Sequence, residues 1–260
     1  MKNPSIEFSR AITRKPAASI IDGLRAIDTG APDLTQMSAA HDAYVATLRE
    51  TGAEVIELPA LPAYPDSVFV EDTALCLPQG AVLMRPGAPT RVGEVSEMAP
   101  VLYKMYKDVR EIKGPGTLEG GDILVTSREI LVGLSERTDQ AGVDELTDVV
   151  SDWGYAVRTI KIPDDVLHFK TDCSLLGVDT ILSTQRLAAS GCFADYNIIY
   201  TAPNEEAAAN AIRFNQFVIM AAGFPNTAKR LRDSGYDVRE IDNTDCAKLD
   251  GGMSCLSLRF

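Results

Sequence analysis

The sequence predicts an α/β fold made of five repeated supersecondary modules. The main observation is a short strand of one pattern, which follows a helical segment and begins at Val55, Val109, Val157 and Val238. The intervals between these valines are 54, 48 and 81 residues, and the apolar stretch 198–200 lies near the middle of the last, double interval. A period in this range is typical of repeated modules, with a propeller among the possible architectures.

Each module is predicted to contain a β-hairpin, a helix and one further strand, because alternating apolar runs are separated by turn residues. A fifth hairpin would pair a C-terminal strand at 255–259 with an N-terminal strand at 6–12 and so close a ring. Thr35 and Asp139 are the predicted N-caps, with C′ glycines at Gly52, Gly154 and Gly235. The other predicted hairpins span 67–85, 122–133, 173–183 and 211–222, and the predicted helices span 35–51, 94–107, 139–153, 187–193 and 225–234.

Composition narrows the class of protein. The 260 residues are 45% hydrophobic and 24% charged, with no linker or low-complexity tract, so we expect a single domain over residues 1–260. A net charge of −12 argues against nucleic acid and anionic membranes as partners. The N-terminus lacks the apolar core of a secretory signal, and no apolar run approaches the length of a membrane span. We therefore expect a cytoplasmic protein.

The cysteines and histidines limit the possible chemistry. None of the five cysteines forms a close C-x-x-C pair, which favours free thiols and no cysteine-based zinc site. The two histidines are His41 and His168. His41 falls inside an amphipathic helix, which favours a structural role. His168 falls at the entry of a predicted strand, in a position that resembles that of Glu119 one module earlier.

Several segments place chemically useful residues at the ends of these strands. Glu71 and Asp72 are adjacent carboxylates, which are costly to bury unless a cation joins them, so they could clamp a cationic group such as guanidinium. Glu119 precedes a Gly-Gly pair and could orient an imidazole. Cys255 follows another Gly-Gly pair near the C-terminus, where a rigid element could present its thiol. Arg85 and Arg137 could each bind a carboxylate, since a guanidinium matches it bidentately, although either could be an ordinary surface arginine.

Taken together, these segments resemble the dimethylarginine dimethylaminohydrolases, a family of the guanidine-modifying group. Any one motif is weak, but six occur in the right order and the match runs from about residue 24 to the end. The resemblance implies an α/β fold, a five-bladed pseudosymmetric α/β propeller of ββαβ modules around a central active-site channel. The segments that carry it are 65–72, 84–89, 118–122, 132–138, 167–170 and 250–255.

The resemblance also implies catalytic roles. Cys255 would be the nucleophile and His168 the general acid and base, with Glu119 orienting the imidazole. The thiol would attack the guanidinium carbon, a covalent thiouronium would form, and water activated by His168 would release a urea-type product. No metal or other cofactor is expected.

The substrate-binding residues implied by the same resemblance divide by the group they meet. Asp72, helped by Glu71, would face the guanidinium. Arg85 and Arg137 would hold the α-carboxylate. The α-amine would meet Asp66 and the main-chain carbonyls of Leu24 and Leu249.

Several alternatives stay open on the sequence. Arginine deiminases, agmatine deiminases and amidinotransferases use similar residue sets, although paired arginines favour an amino-acid substrate over agmatine, which lacks a carboxylate. Arginine or citrulline could replace methylated arginine as the substrate. A catalytically silent amino-acid binding module would keep the arginines but have no use for Cys255 and His168. For the main hypothesis, the expected partner is a small cationic amino-acid substrate, and the expected oligomeric state is a monomer or homodimer.

Overall fold

The structure is a computed structural model, which describes residues 3–164 and 166–260. It contains five three-stranded sheets, each with the same topology: an antiparallel hairpin whose second strand pairs in parallel with a third strand. A helix connects the second strand to the third in every module. The predicted α/β class and the predicted order of hairpin, helix and strand are therefore confirmed.

The strands and helices follow one another as expected for five such modules. The strands are β1 Arg10–Arg14, β2 Glu54–Leu58, β3 Ala74–Cys76, β4 Ala81–Leu83, β5 Val109–Glu111, β6 Ile123–Val125, β7 Ile130–Leu134, β8 Val157–Lys161, β9 Cys173–Leu175, β10 Thr180–Ser183, β11 Asn197–Tyr200, β12 Ile212–Phe214, β13 Phe217–Ala221, β14 Asp237–Ile241 and β15 Leu258–Arg259. The helices are α1 Leu34–Glu50, α2 Val92–Met105, α3 Gln140–Val150, α4 Gln185–Ala188, α5 Pro225–Asp233 and α6 Thr244–Ala247.

The two ends of the chain share one sheet. β15 pairs antiparallel with β1, which pairs in parallel with β2. Leu258 lies opposite Ile12, and both side chains are buried. This pairing is the predicted fifth hairpin, and it joins the last segment of the chain to the first module.

The hydrophobic core shows how the modules are arranged. It divides into five clusters, and each contains residues from two neighbouring modules. Val82 of β4 and Ile130 of β7 belong to one cluster, and Leu131 of β7 and Ile181 of β10 belong to the next. Since every module packs on two others, the five form a closed ring. The fold is a five-bladed α/β propeller.

The structure corrects some local predictions. The N-cap of α1 is Asp33 rather than Thr35, because its carboxylate accepts hydrogen bonds from the amides of Thr35 and Gln36. Asp139 caps α3 as predicted, accepting from the Gly142 amide at 2.9 Å. The predicted strand 255–259 is reduced to Leu258–Arg259, because residues 254–256 form a 3-10 turn. Within the described residues, no helix combines the length and apolar character needed to cross a membrane.

Candidate active site

Five short 3-10 turns surround the centre of the ring, one before the first strand of each module. Neighbouring turns contact one another, so residues far apart in sequence meet. The turns are Val70–Thr73, Gly120–Asp122, Phe169–Thr171, Glu206–Ala209 and Ser254–Leu256.

His168 and Glu119 form a buried pair. Each is the residue immediately before a turn, and Nε2 of His168 lies 2.7 Å from Oε2 of Glu119. The other carboxylate oxygen of Glu119 accepts from the amides of Gly87 at 3.0 Å and Ala88 at 3.3 Å, and lies 3.6 Å from Nη1 of Arg137. Every side of this carboxylate therefore meets a donor, which fixes the orientation of the imidazole.

The charge state of the pair follows from its neighbours. Burial alone would lower the pKa of His168, but the charges of Asp122 and Asp72 and the hydrogen bond with Glu119 raise it to about 9. Burial alone would raise the pKa of Glu119, but the bond with His168 holds that pKa below its ordinary value. The pair is thus an imidazolium and a carboxylate at neutral pH.

Cys255 lies in the turn 254–256, half-buried, with its sulfur facing two nitrogen donors. The Gly252 amide is 3.4 Å from Sγ, and Nδ2 of Asn210 is 3.9 Å away. Burial, followed by the carboxylates of Glu71 and Asp72, raises the pKa of the thiol to about 11. In the unliganded pocket the sulfur is therefore a thiol at neutral pH.

The two Gly-Gly pairs allow this close approach of backbone and side chain. A Cβ on Gly121 would stand 2.7 Å from Nδ1 of His168 and 2.9 Å from Oδ1 of Asp72. A Cβ on Gly251 would stand 2.5 Å from the Phe69 ring. A larger residue at either position would clash with these side chains. The clash explains why glycine follows Glu119 and precedes Cys255 in the sequence.

The adjacent acids Glu71 and Asp72 face different surroundings. Asp72 accepts from the Gly121 amide at 2.8 Å, lies 2.5 Å from Nη1 of Arg91, and lines the same pocket as Cys255 and His168. Glu71 does not line that pocket. Its carboxylate instead bonds Nζ of Lys170 and Nη2 of Arg259, each at 2.6 Å, and the Ser254 hydroxyl at 2.7 Å.

The prediction that Glu71 helps Asp72 to face the guanidinium is therefore corrected. Two cations and a hydroxyl already occupy both oxygens of Glu71, and their residues line a different cavity from the one lined by Cys255. The Glu71 carboxylate supports the turn that carries Cys255, because it accepts a hydrogen bond from Ser254, the residue immediately before Cys255.

The predicted arginine pair is also corrected. Arg137 lines the pocket, but Arg85 does not: its side chain is exposed and donates to the Lys113 carbonyl at 2.8 Å. The second arginine of the pocket is Arg91, which is buried against Asp72. Arg91 was not identified from the sequence. Its position three residues before Glu94 was only a weak signal, and in the structure the two side chains form an ion pair at 2.8 Å.

The residues expected at the α-amine lie together on one side of the pocket. Oδ1 of Asp66 accepts from the Leu24 amide at 2.9 Å, and Leu24 and Leu249 both line the pocket. Burial raises the pKa of Asp66 above its ordinary value. Asp250 holds the same loop by accepting from the Ala26 amide at 2.6 Å. The loop 23–26 is thus attached to two acids of the pocket.

Among the described residues, two sets of histidine and carboxylate side chains are close enough to share a metal ion. One comprises Asp72, Glu119 and His168, of which the last two already bond each other. The other comprises His41, Asp42 and Glu57, and His41 is buried in α1 outside the pocket, as its predicted structural role requires.

Comparisons with known proteins agree with this fold. The sequence matches the arginine deiminase family over residues 59–221. It is 36% identical to N(G),N(G)-dimethylarginine dimethylaminohydrolase of Pseudomonas aeruginosa, over 97% of this chain and 100% of the relative. The chain belongs to the dimethylarginine dimethylaminohydrolase family. The Streptomyces coelicolor enzyme of the same name is 30% identical over 96% of each chain.

Solved structures of family members superpose closely on this chain. A cysteine-to-serine mutant of the Pseudomonas aeruginosa enzyme, complexed with citrulline, matches with a TM-score of 0.95, at 36% identity over 98% of this chain and 100% of that chain. The N-terminal domain of ArgZ, an arginine dihydrolase from cyanobacteria, has a TM-score of 0.86 over 96% of each chain at 21% identity, and shares the fold. The five-bladed architecture is thus common to family members and to a more distant enzyme.

Proposed function

We propose that this hydrolase converts N-omega-methylated arginine, either asymmetric dimethylarginine or monomethylarginine, to citrulline and dimethylamine or methylamine. The observation that carries the proposal is that Cys255, His168 and Asp72 line one pocket, with Glu119 bonded to the imidazole. A thiol, an acid and base, and a carboxylate for the cation are the groups that guanidinium hydrolysis needs. Membership in the dimethylarginine dimethylaminohydrolase family supports the same substrate class.

The pocket supports one orientation of the substrate. Asp72 meets the guanidinium beside Cys255. Arg137, whose side chain is partly exposed, binds the α-carboxylate, and Arg91 is the second guanidinium on that wall. Asp66 lies beside Leu24 and Leu249 and meets the α-amine with their main-chain carbonyls. This arrangement orients an amino acid along the pocket with its side chain directed at the sulfur.

The first half of the reaction forms a covalent intermediate. The positive charge of the bound guanidinium favours the thiolate form of Cys255, whose proton passes to solvent. The sulfur attacks the guanidinium carbon, and an S–C bond forms. His168, protonated beside Glu119, gives its proton to the methylated nitrogen, and the C–N bond breaks with release of the amine. A thiouronium on Cys255 and a neutral imidazole remain.

The second half restores the enzyme. Neutral His168 takes a proton from a water molecule as its oxygen attacks the thiouronium carbon. The C–S bond then breaks and its electron pair returns to Cys255. The proton left on the new oxygen passes to the sulfur, which restores the thiol, and citrulline leaves. Since the imidazole regains the proton that it gave in the first half, the cycle closes with one water consumed.

Product analysis tests this proposal. Asymmetric dimethylarginine, monomethylarginine, arginine and citrulline are incubated in parallel with the enzyme and with Cys255→Ser. We expect citrulline and dimethylamine from the first substrate, and no turnover by the variant. Ammonia from arginine or citrulline alone would move the activity to a sister enzyme with the same nucleophile. No turnover of any of the four, with retained binding, would favour an amino-acid binding module.

A further inference from the structure

One of the five central turns carries a residue that no role assigned so far uses. Four of the turns present Asp72, Glu119, His168 and Cys255. The fifth, 206–209, ends at Asn210, which is buried. Its side chain bonds the turn of Cys255, so this contact joins the fifth turn to the nucleophile.

The orientation of the Asn210 amide follows from its partners. Its Oδ1 accepts a hydrogen bond from the Ser254 amide at 2.9 Å, which only an oxygen can do. The NH₂ group therefore faces the other way, with Nδ2 3.9 Å from Sγ of Cys255. Gly252 allows this contact, because a Cβ there would stand 2.2 Å from Cγ of Asn210.

The surroundings of the sulfur make such a donor useful. Although the Lys170 ammonium favours a negative charge on Cys255, the nearby carboxylates of Glu71 and Asp72 both disfavour one. The Gly252 amide, at 3.4 Å, is one neutral donor that opposes them. The Asn210 NH₂ is a second, and a donor fixed before the reaction stabilises a developing anion without reorganising.

We propose that Asn210 is a catalytic residue whose amide NH₂ donates a hydrogen bond to the Cys255 thiolate. The bond stabilises the sulfur when its proton leaves before attack. It does so again after water has added to the thiouronium carbon, when the C–S bond breaks and the electron pair returns to the sulfur. This inference rests on the proposed nucleophilic role of Cys255.

The test measures the titration of the thiol directly. Alkylation of Cys255 by iodoacetamide is followed against pH, with mass spectrometry of the C-terminal peptide as the readout, in the wild type, Asn210→Asp and Asn210→Ala. Asn210→Asp keeps the shape and the oxygen facing Ser254 but loses the donor, whereas Asn210→Ala removes the donor without adding charge. Because no substrate is needed, a failure here is distinct from a failure of the proposed hydrolysis.

We expect the alkylation midpoint to rise in both variants. In Asn210→Asp the thiolate fraction at neutral pH should fall about tenfold, one unit on the pH axis. Asn243→Asp is the matched control, since Asn243 donates to the Gly251 carbonyl of the same Gly-Gly turn and no contact of its side chain with the sulfur is found among the described residues. Its midpoint should stay at the wild-type value.

Three outcomes overturn the proposal: an unchanged midpoint in both Asn210 variants, a rise in Asn210→Asp alone, or an equal rise in Asn243→Asp. A rise in Asn210→Asp alone would reflect the added negative charge rather than the loss of the hydrogen-bond donor. If Asn210→Ala shows no cooperative unfolding transition, Asn210→Ser replaces it, because the serine side chain is too short to reach the sulfur. The alkylation midpoint of Asn210→Ser should then rise in the same way. On the substrate, kcat should fall about tenfold in Asn210→Ala with KM little changed.

Discussion

Nε2 of His168 lies 2.7 Å from Oε2 of Glu119, whose side chain is wholly buried. The two residues are 49 positions apart and occupy equivalent places in neighbouring modules, each immediately before a 3-10 turn. The pseudosymmetry of the ring therefore brings them together. The charges of Asp122 and Asp72, together with the hydrogen bond to Glu119, raise the pKa of the imidazole against the effect of burial.

The first prediction concerns the pH dependence of turnover. The pKa of His168 is about 9, so its acid form persists through neutral pH and the rate should fall as pH rises through that value. Glu119→Gln removes one of the carboxylates that raise the pKa of His168, so the alkaline fall in rate should move to lower pH and kcat should fall on the order of 10- to 100-fold. A pH profile of kcat with an unmoved alkaline limb would contradict the role of Glu119.

The second prediction concerns stability against pH. The pKa of His168 is raised in the folded state from 6.5 to about 9, so its stabilising contribution is complete below about pH 6.5 and is lost as pH rises through about 9. The pKa of Glu119 is lowered, so its contribution is present above about pH 4.5 and is lost in acid.

Urea unfolding of the unliganded protein at a series of pH values measures this contribution. The free energy of unfolding should decline between about pH 6.5 and 9, and the decline should be shallower in Glu119→Gln. Equal slopes in the two proteins would show that the pair does not govern stability in that range.

The third prediction concerns the nucleophile. Cys255→Ser should abolish turnover, because a serine hydroxyl is a far weaker nucleophile than a thiolate, while citrulline binding changes little. Cys76→Ser is the control, since Cys76 is a free cysteine outside the pocket. Citrulline affinity is measured by calorimetry, and retained turnover in Cys255→Ser would remove the assignment.

The fourth prediction compares two arginines. Arg137 lines the pocket and Arg85 is exposed outside it, bonded to the Lys113 carbonyl. Arg137→Ala should raise KM for amino-acid substrates on the order of 10- to 100-fold, because it removes a charge-assisted bond worth about 1.5–3 kcal/mol. Arg85→Ala, the matched control, should leave KM unchanged. A raised KM in Arg85→Ala with an unchanged KM in Arg137→Ala would instead show that Arg85 binds the substrate.

The fifth prediction concerns the buried network under the nucleophile. Glu71 bonds both Lys170 and Arg259, and all three side chains are largely buried. Glu71→Gln should lower the free energy of unfolding by about 3–5 kcal/mol, since it leaves buried cations without their counter-charge. Glu54→Gln, which breaks an exposed pair with Arg10, should cost less than about 1 kcal/mol. Denaturant unfolding measures both free energies. Equal losses in Glu71→Gln and Glu54→Gln would contradict a special role for the buried network.

The sequence alone determined the architecture and most of the candidate site. The valines at 55, 109, 157 and 238 all begin or lie in the third strands of their sheets, because period and apolar alternation are local properties that the fold preserves. Cys255, His168, Glu119 and Asp72 were found for the same reason. Each stands in a short motif with its own glycines or acids, and the structure places all four at the centre of the ring.

The tertiary structure decided which side chains share the pocket. Arg85 and Arg91 are six positions apart, and the sequence pointed to Arg85, yet it is Arg91 that lies against Asp72. Glu71 and Asp72 are adjacent, yet they have different partners and line different cavities. Asn210 carries no motif at all. Contacts between modules depend on how five blades close around an axis, and that geometry is set by packing over the whole chain rather than by any local pattern.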